Sequence, residues 1–251
     1  MRFVKMQALG NDFVVVEDHV DLDPTLVRAV CDRRLGVGAD GVLTVTRSEE
    51  GVRMGYWNAD GSAAEMCGNG LRCVAVYAAE RGLVDRVPFV VATPVGPRQV
   101  VEVEEGRATV EVGPTRVVGT ATLEGLELTL VDVGNPHAVA FVDDPDRVEV
   151  GALGASIGTH RDFPAGSNVE FVTVETPNRL RMRVWERGVG ETLSCGSGMV
   201  AAAVAAFRSG RAGRSVEVLT PGGPGLVELT EGSSLLSGPA VEVFEGIWPL
   251  G

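Results

Sequence analysis

The sequence predicts an α+β fold built as two homologous domains, each mainly antiparallel sheet with a few helices. Three observations carry this reading. Apolar residues alternate with polar ones over short runs, as they do on half-buried strands. Only a few segments have helical spacing. The second half of the chain repeats the first, in order. At 251 residues there is chain enough for two modest domains, each with its own core. A hydrophobic fraction of 45% against 22% charged residues is that of a globular protein.

Taken in order, the strand-like runs begin with F-V-V-V-E-D after Asn11, R-M-G-Y-W-N at 53–58, R-Q-V-V-E-V-E at 98–104 and A-T-V-E-V at 108–112. L-E-L-T-L-V-D-V at 126–133, H-A-V-A-F-V at 137–142, N-V-E-F-V-T-V at 168–174 and L-R-M-R-V-W-E at 180–186 continue the pattern. A-V-E-V-F-E-G-I-W at 240–248 reads as a last strand, open to either domain. Glycine, proline and aspartate punctuate these runs. Helical spacing appears at 26–35, at 71–81 and over the apolar run 199–208. Gly82 and Gly210 close the last two, where a left-handed C-cap residue is wanted.

The repeat has a constant offset over its centre. R-M-G-Y-W-N at 53–58 falls on R-M-R-V-W-E at 181–186, Cys67 on Cys195, Gly68 on Gly196, Gly70 on Gly198 and Gly82 on Gly210. T-P-V-G-P at 93–97 answers T-P-G-G-P at 220–224, and the G-N-D-F stretch at Gly10 resembles G-N-P-H at Gly134. The expected domains are 1–113 and 114–251, related by a pseudo-twofold axis, with the strand at 240–248 able to pack back on the first.

The formal charge of −12 and pI near 4.8 speak against nucleic-acid backbones and anionic membranes as partners. The N-terminal residues lack the uninterrupted apolar core of a signal peptide. The run at 199–207 is far short of the ~20 residues that span a bilayer. A cytoplasmic protein with four reduced cysteines (Cys31, Cys67, Cys73, Cys195) is expected. No C-x-x-C spacing signals a metal or thioredoxin site. Lys5 is the only lysine, so chemistry that needs a Schiff base depends on Lys5 alone.

Each repeat places a cysteine before a glycine turn that opens an apolar helix. A helix N-terminus offers unpaired N–H groups and partial positive charge, and glycines let a carboxylate approach the backbone closely. The same field is expected to lower a neighbouring thiol's pKa from its usual ~8.5. Two such thiols facing one carbon suit a stereoinversion without a cofactor. One thiolate removes the α-proton and the opposite thiol returns one to the other face. Cys31 and Cys73 lie within apolar helical patterns and read as core.

N-A-D-G-S-A-A-E-M-C-G-N-G-L-R-C at 58–73, G-N-P-H at 134–137 and W-E-R-G-V-G-E-T-L-S-C-G-S-G at 185–198 resemble the diaminopimelate epimerase family. The opening K-M-Q-A-L-G-N-D-F and the G-V-G-A-D before Gly41 belong to the same pattern. The resemblance implies two similar domains, each a sheet wrapped around a central helix, with the active site in the cleft between them. It also implies interconversion of LL- and meso-2,6-diaminopimelate on the route to lysine, no cofactor or metal, an amino-acid substrate and a homodimer. Cys67 and Cys195 would be the acid/base thiols, with His137 and Glu186 tuning them. Gly68, Asn69, Gly196 and Ser197 would hold the carboxylate at the reacting centre. Asn58, Asn135, Asn168, Glu186 and Arg187 would grip the far end of the substrate, and Asn11 would complete the pocket. Some members carry a glutamine where this chain has Gly41. A histidine- or proline-type racemase of the same architecture and a non-catalytic amino-acid-binding protein are the competing readings. The paired cysteines, and Arg187 with Asn58 and Asn168, favour the epimerase.

Overall fold

A computed structural model describes residues 1–17, 22–64 and 67–249, and the chain divides into two compact units. Unit 1 is Met1–Glu111 with the segment from Gly238 onward; unit 2 is Val112–Ser237. Unit 1 begins β1 (Arg2–Ala8), β2 (Asn11–Glu17), α1 (Pro24–Cys31), β3 (Gly41–Ser48) and β4 (Gly51–Asn58). It continues α2 (Gly68–Glu80), β5 (Phe89–Thr93), β6 (Gly96–Glu104) and β7 (Arg107–Glu111). Unit 2 runs β8 (Arg116–Leu123), β9 (Leu126–Asp132), β10 (Pro136–Phe141), α3 (Val150–Gly158), β11 (Asn168–Thr176) and β12 (Arg179–Glu186). There follow β13 (Gly190–Thr192), α4 (Gly196–Arg208), β14 (Ser215–Thr220), β15 (Gly223–Leu229) and, ending at the boundary, β16 (Ser234–Pro239). The chain then returns to unit 1 as β17 (Val241–Ile247).

Each unit pairs its strands in the same sequence of directions. In unit 1, β17, β1 and β2 are antiparallel, β2–β3 is parallel, β3–β4 antiparallel, β4–β5 parallel, and β5–β6–β7 antiparallel. Unit 2 repeats this with β8, β9, β10, β11, β12, β14, β15 and β16. The match extends to register: Val42 faces Trp57 as Val169 faces Trp185. It also extends to turns, where Thr93 donates its hydroxyl to the Gly96 carbonyl (2.6 Å) as Thr220 does to Gly223 (2.9 Å). The last strand pairs with β1, in the place that β8 takes beside β9.

The two long apolar helices are central to their units. From Gly68 to Ala78 in α2, and from Gly198 to Ala206 in α4, every residue is buried. α2 packs on β1–β4, β6 and β7, and α4 on β8–β12, β14 and β15. A helix apolar on all sides has to be core, because no face of it gains from water. Gly82 (φ 62°) and Gly210 (φ 72°) take the left-handed conformation past the helix ends. Leu83 N–H then donates to the Ala78 carbonyl (2.8 Å), and Arg211 N–H to Ala206 (2.9 Å).

Two helices depart from the expectation. α1 occupies Pro24–Cys31 rather than 26–35. Its start is set by the Asp23 cap, which accepts from the Thr25 and Leu26 N–H groups, with Pro24 at the first helical position. It stops because the Asp32 carboxylate takes the Arg34 and Leu35 N–H groups (2.7 Å each), offering the backbone a turn in place of another helical one. α3, V-G-A-L-G-A-S-I-G, escaped the periodicity because glycines are poor helix formers. Those glycines allow close approach: a Cβ on Gly154 or Gly158 would lie 2.3 Å from an atom of Trp185. No helix among the described residues is long and apolar enough to cross a membrane.

Candidate active site

Cys67 and Cys195 are the N-cap residues of α2 and α4, with nearly the same extended backbone: φ −136°, ψ 123° and φ −127°, ψ 118°. The duplicated sequence thus builds one local structure twice, and the surroundings of the two thiols then diverge.

In unit 1 the Cys67 Sγ lies 3.5 Å from Asn11 Oδ1, which also accepts from Asn69 Nδ2 (3.3 Å). Asn11 is held from behind, its Nδ2 donating to Asp40 Oδ2 (2.7 Å). Arg33 bridges Asp12 (2.7 Å) and Asp40 (2.6 Å), and the buried Lys5 ammonium reaches Asp12 (2.6 Å) and the Gly38 carbonyl. Burial pushes the Asp12 carboxyl up, but hydrogen bonds from Arg33 and Lys5 outweigh it and hold the pKa down at about 2. Asn69 Oδ1 accepts from Nη2 of the fully buried Arg72 (2.8 Å). Burial lowers that guanidinium to about 10, which leaves it charged at neutral pH. Asn58 ends β4 opposite Gly41, and its Nδ2 donates to Ser62 Oγ (3.0 Å). A Cβ on Gly41 would lie 2.4 Å from the Trp57 carbonyl oxygen and 2.7 Å from the Tyr56 ring. The strands approach so closely there that a glutamine has no room.

In unit 2 the buried Cys195 Sγ accepts from the Gly198 N–H (3.4 Å), lies 3.4 Å from Ser197 Oγ and has the Glu186 carboxyl beside it. The Thr192 hydroxyl donates to the Glu186 carboxylate. His137 is enclosed: Nδ1 lies 2.6 Å from Glu170 Oε1 and Nε2 2.9 Å from Asn135 Oδ1, with neither His137 nor Glu170 exposed. Asn168 donates to the Pro136 carbonyl (3.1 Å) and accepts from the Arg187 N–H (2.9 Å), so backbone partners engage both ends of its amide. Arg187 is exposed, with Nη1 on the Ala165 carbonyl (2.9 Å). The N–H groups of Gly196 and Ser197 lie in the first turn of α4, where a helix offers no internal acceptor.

The expected lowering of the thiol pKa does not hold at Cys195. Burial first, then the Glu186 and Glu170 carboxyls, push it well above the ordinary thiol value, against the weaker help of Ser197 and the Gly198 N–H. Burial likewise raises Glu186 and Glu170. Burial and the two neighbouring carboxyls thus favour the thiol form of Cys195.

The structure therefore gathers Asn11, Cys67, Gly68 and Asn69 in one unit, and Asn135, His137, Glu186, Cys195, Gly196 and Ser197 in the other. Asn58, Asn168 and Arg187 flank them at strand ends. Asp40, Arg72, Thr192 and Glu170 were not singled out from sequence. For Glu170 a signal was available, since it stands two residues after Asn168 on the same face of an otherwise apolar run. Among the described residues no group of three or more His, Cys, Asp or Glu is arranged to hold a metal ion.

A family model described as diaminopimelate epimerase matches residues 3–118 and 129–243. The diaminopimelate epimerase of Desulforudis audaxviator is 44% identical over 99% of both chains. That of Thermobifida fusca is 43% identical over 98% of this chain and 97% of its own. Among solved structures, a hydroxyproline epimerase from Agrobacterium vitis superposes with a TM-score of 0.75 at 18% identity, covering 98% of this chain and 91% of that one. A phenazine biosynthesis protein from Bacillus anthracis gives 0.74 at 18% identity over 99% of each. At such identities the structural likeness speaks for the fold alone.

Proposed function

The chain belongs to the diaminopimelate epimerase family, and from that premise we propose that Cys67 and Cys195 are the two bases with which it interconverts LL- and meso-2,6-diaminopimelate. It is an isomerase, and its product feeds lysine biosynthesis. The observation that carries the two-thiol reading is the doubled one. Two cysteines take the same N-cap conformation at the start of the central helix of two units with the same strand pairing.

The proton inventory closes within the chain. With substrate bound, a thiolate accepts the α-proton, and the electron pair left on carbon is spread onto the substrate carboxylate. N–H groups of Gly68, Asn69, Gly196 and Ser197 hold that carboxylate, and a preformed set of donors stabilises the developing charge without reorganising. The other thiol gives its proton to the opposite face, so thiol and thiolate have exchanged roles: the negative charge has passed from one sulfur to the other and the total is unchanged. Cys195, held as a thiol by burial and two carboxyls, suits the donor's part first, with Cys67 as the opening base. The Glu186 carboxyl beside Cys195 takes up part of the change as the thiol ionises. Asn58, Asn135, Asn168, Glu186 and Arg187 hold the far amino-acid end, a guanidinium suiting carboxylate and a carboxylate suiting ammonium. Asn11 Oδ1 accepts from the Cys67 thiol and holds that side chain in place while it is protonated.

Free thiols fit a reducing compartment, and we assign the enzyme to the cytoplasm. We assign a homodimer as well, supported by the apolar side chains that β17 leaves exposed: Val241, Val243, Phe244 and Ile247.

Incubation with LL-diaminopimelate in deuterated water tests the function: deuterium enters one α-position of the product. Cys67→Ala and Cys195→Ala each cut epimerisation by about 10² to 10⁴, the usual contribution of one acid/base group. Turnover within a factor of two in either variant would sink the two-thiol mechanism.

A further inference from the structure

Beyond its share in keeping Cys195 a thiol, Glu170 has no part in the chemistry above, yet it is the acid most deeply built into the site. Its side chain is wholly buried, as is that of His137, and Oε1 lies 2.6 Å from His137 Nδ1. A Cβ on Gly198, in the first turn after Cys195, would come within 2.8 Å of the same Oε1. Oε2 has no hydrogen-bond partner among the described residues. The titratable groups facing Glu170 are His137 from β10, Glu186 from β12 and Cys195 at the head of α4. Among the described residues no lysine or arginine forms an ion pair with it.

The internal repeat supplies a control within the same chain. Parallel pairing sets Phe13 beside Gly41 in unit 1 and His137 beside Asn168 in unit 2, so Phe13 takes the place of His137. Since Val42 faces Trp57 as Val169 faces Trp185, Leu43 takes the place of Glu170. Packing agrees: the Cβ that would meet Glu170 Oε1 from Gly198 would meet Leu43 Cδ2, at 3.1 Å, from the equivalent Gly70. Leu43 and Phe13 are fully buried. The fold is therefore satisfied by an apolar pair here, and burying a polar pair in its place gains little stability. The polar pair has another use.

We propose that Glu170 is a positioning residue that fixes His137 with a hydrogen on Nε2, so that the Asn135 amide keeps its oxygen inward and offers its NH₂ to the substrate. One proton is shared between Glu170 Oε1 and His137 Nδ1. If the carboxyl holds it, the neutral ring carries its own hydrogen on Nε2. If the ring holds it, both nitrogens are protonated. In either state Nε2–H donates to Asn135 Oδ1, as the 2.9 Å contact requires. The remaining state, a carboxylate accepting from Nδ1–H with a bare Nε2, leaves a net negative charge in a buried site. It also sets a lone pair against the amide oxygen. Burial, which pushes the Glu170 carboxyl up, works against it. Asn135 and His137 line a cavity of about 340 Å³ with Pro136, Phe163 and Ser167. The substrate consequence rests on the reading of Asn135 as a binding residue; the ring state does not.

Nitrogen-15 spectra of the histidine rings in the intact, ligand-free protein test the ring state directly. The chain has 3 histidines, and the His137 signals are those lost in His137→Phe. At neutral pH the Nε2 signal should be that of a protonated ring nitrogen. A bare Nε2 there overturns the proposal, whether or not the enzyme epimerises diaminopimelate. In Glu170→Leu the ring should populate both tautomers. KM should then rise about tenfold or more, as when a buried polar partner is lost, with kcat changed less. Glu170→Gln, whose amide can donate to Nδ1, should restore Nε2–H and most of the affinity. An unchanged KM in Glu170→Leu overturns the positioning role. Should that variant not fold, a bare Nε2 in Glu170→Gln with wild-type KM overturns it equally.

Discussion

The single lysine shows how much a residue's meaning depends on its partners. In sequence Lys5 stood out as the only amine able to form a Schiff base. In the fold its ammonium is buried between Asp12 and the Gly38 carbonyl, at the base of a chain of contacts through Arg33, Asp40 and Asn11 to Cys67. Asp12 is the member whose charge matters most. Its folded pKa of about 2 lies below the ordinary 3.8, so the folded state prefers the ionised form. The resulting stability is fully present above the ordinary value and is lost as pH falls toward 2. Asp12→Asn should therefore cost about 1–2 kcal/mol near neutral pH, less than the full shift is worth because exposed Arg33 shares the pair with solvent. The gap to the parent protein should close between about pH 4 and pH 2 in denaturant titrations. A pH-independent gap would mean that lost packing, not charge, is what Asn removes. At this scale the cysteine–glycine turns were legible because their residue types are unusual together. Glu170 was legible only as an acid sharing a strand face with Asn168; its partner His137 and its approach to Gly198 follow from the fold.

At the scale of elements, α2 and α4 are one design with two fillings. Both were legible from apolar runs closed by Gly82 and Gly210. α3 was not, because its glycines serve the Trp185 contact at the expense of helix propensity, and α1 was overextended because a carboxylate outside the periodic pattern ends it. The fillings differ at the glycine three residues past each cysteine. A methyl on Gly70 would press on the Leu43 and Met54 ends, apolar tips that can rotate away. On Gly198 it would press at 2.8 Å on Glu170 Oε1, an oxygen already tied to His137, and at 3.2 Å on Cys195 Cβ. Alanine favours a helix over glycine by about 0.5–1 kcal/mol, which offsets the mild clash only. Gly70→Ala should leave the melting temperature within a few degrees of the parent, whereas Gly198→Ala should cost about 1–3 kcal/mol of stability, the usual cost of overpacking, and lower the melting temperature accordingly. Equal melting temperatures for the two would show that Glu170 is free to move and that the turn around Cys195 is less rigid than its contacts indicate.

Across the whole molecule, duplication was legible from landmarks that keep their order: tryptophan, cysteine and glycine at one offset. The closing strand was legible as a strand but not in its partner, since alternation at 240–248 carries no information about a pairing with residues 2–7 at the other end of the chain. The pairing makes unit 1 discontinuous in sequence and leaves unit 2 one continuous segment. β17 hydrogen-bonds along β1, the N-terminal ammonium donates to the Trp248 carbonyl (2.7 Å), and the Phe3 ring lies so close to Gly246 that a Cβ there would sit 2.5 Å from it. Removing residues after Ala240 thus strips a strand from unit 1 and leaves every strand pairing of unit 2 in place. Several lost backbone bonds and the uncovered Phe3 are expected to lower unit 1's melting temperature by about 10 °C or more, at roughly 2–4 °C per kcal/mol for a chain of this size. Two tryptophans report separately: Trp57 packs against the unit 1 cluster around Phe3 and Val42, and Trp185 against the unit 2 cluster around Ile157 and Phe171. In the truncated chain, fluorescence from Trp57 in a Trp185→Phe background should melt early, while that from Trp185 in a Trp57→Phe background should follow it at a higher temperature. A single transition at the parent's temperature for both reporters would show that β17 adds nothing to unit 1, and that the first repeat is complete without the strand that its twin holds as β8.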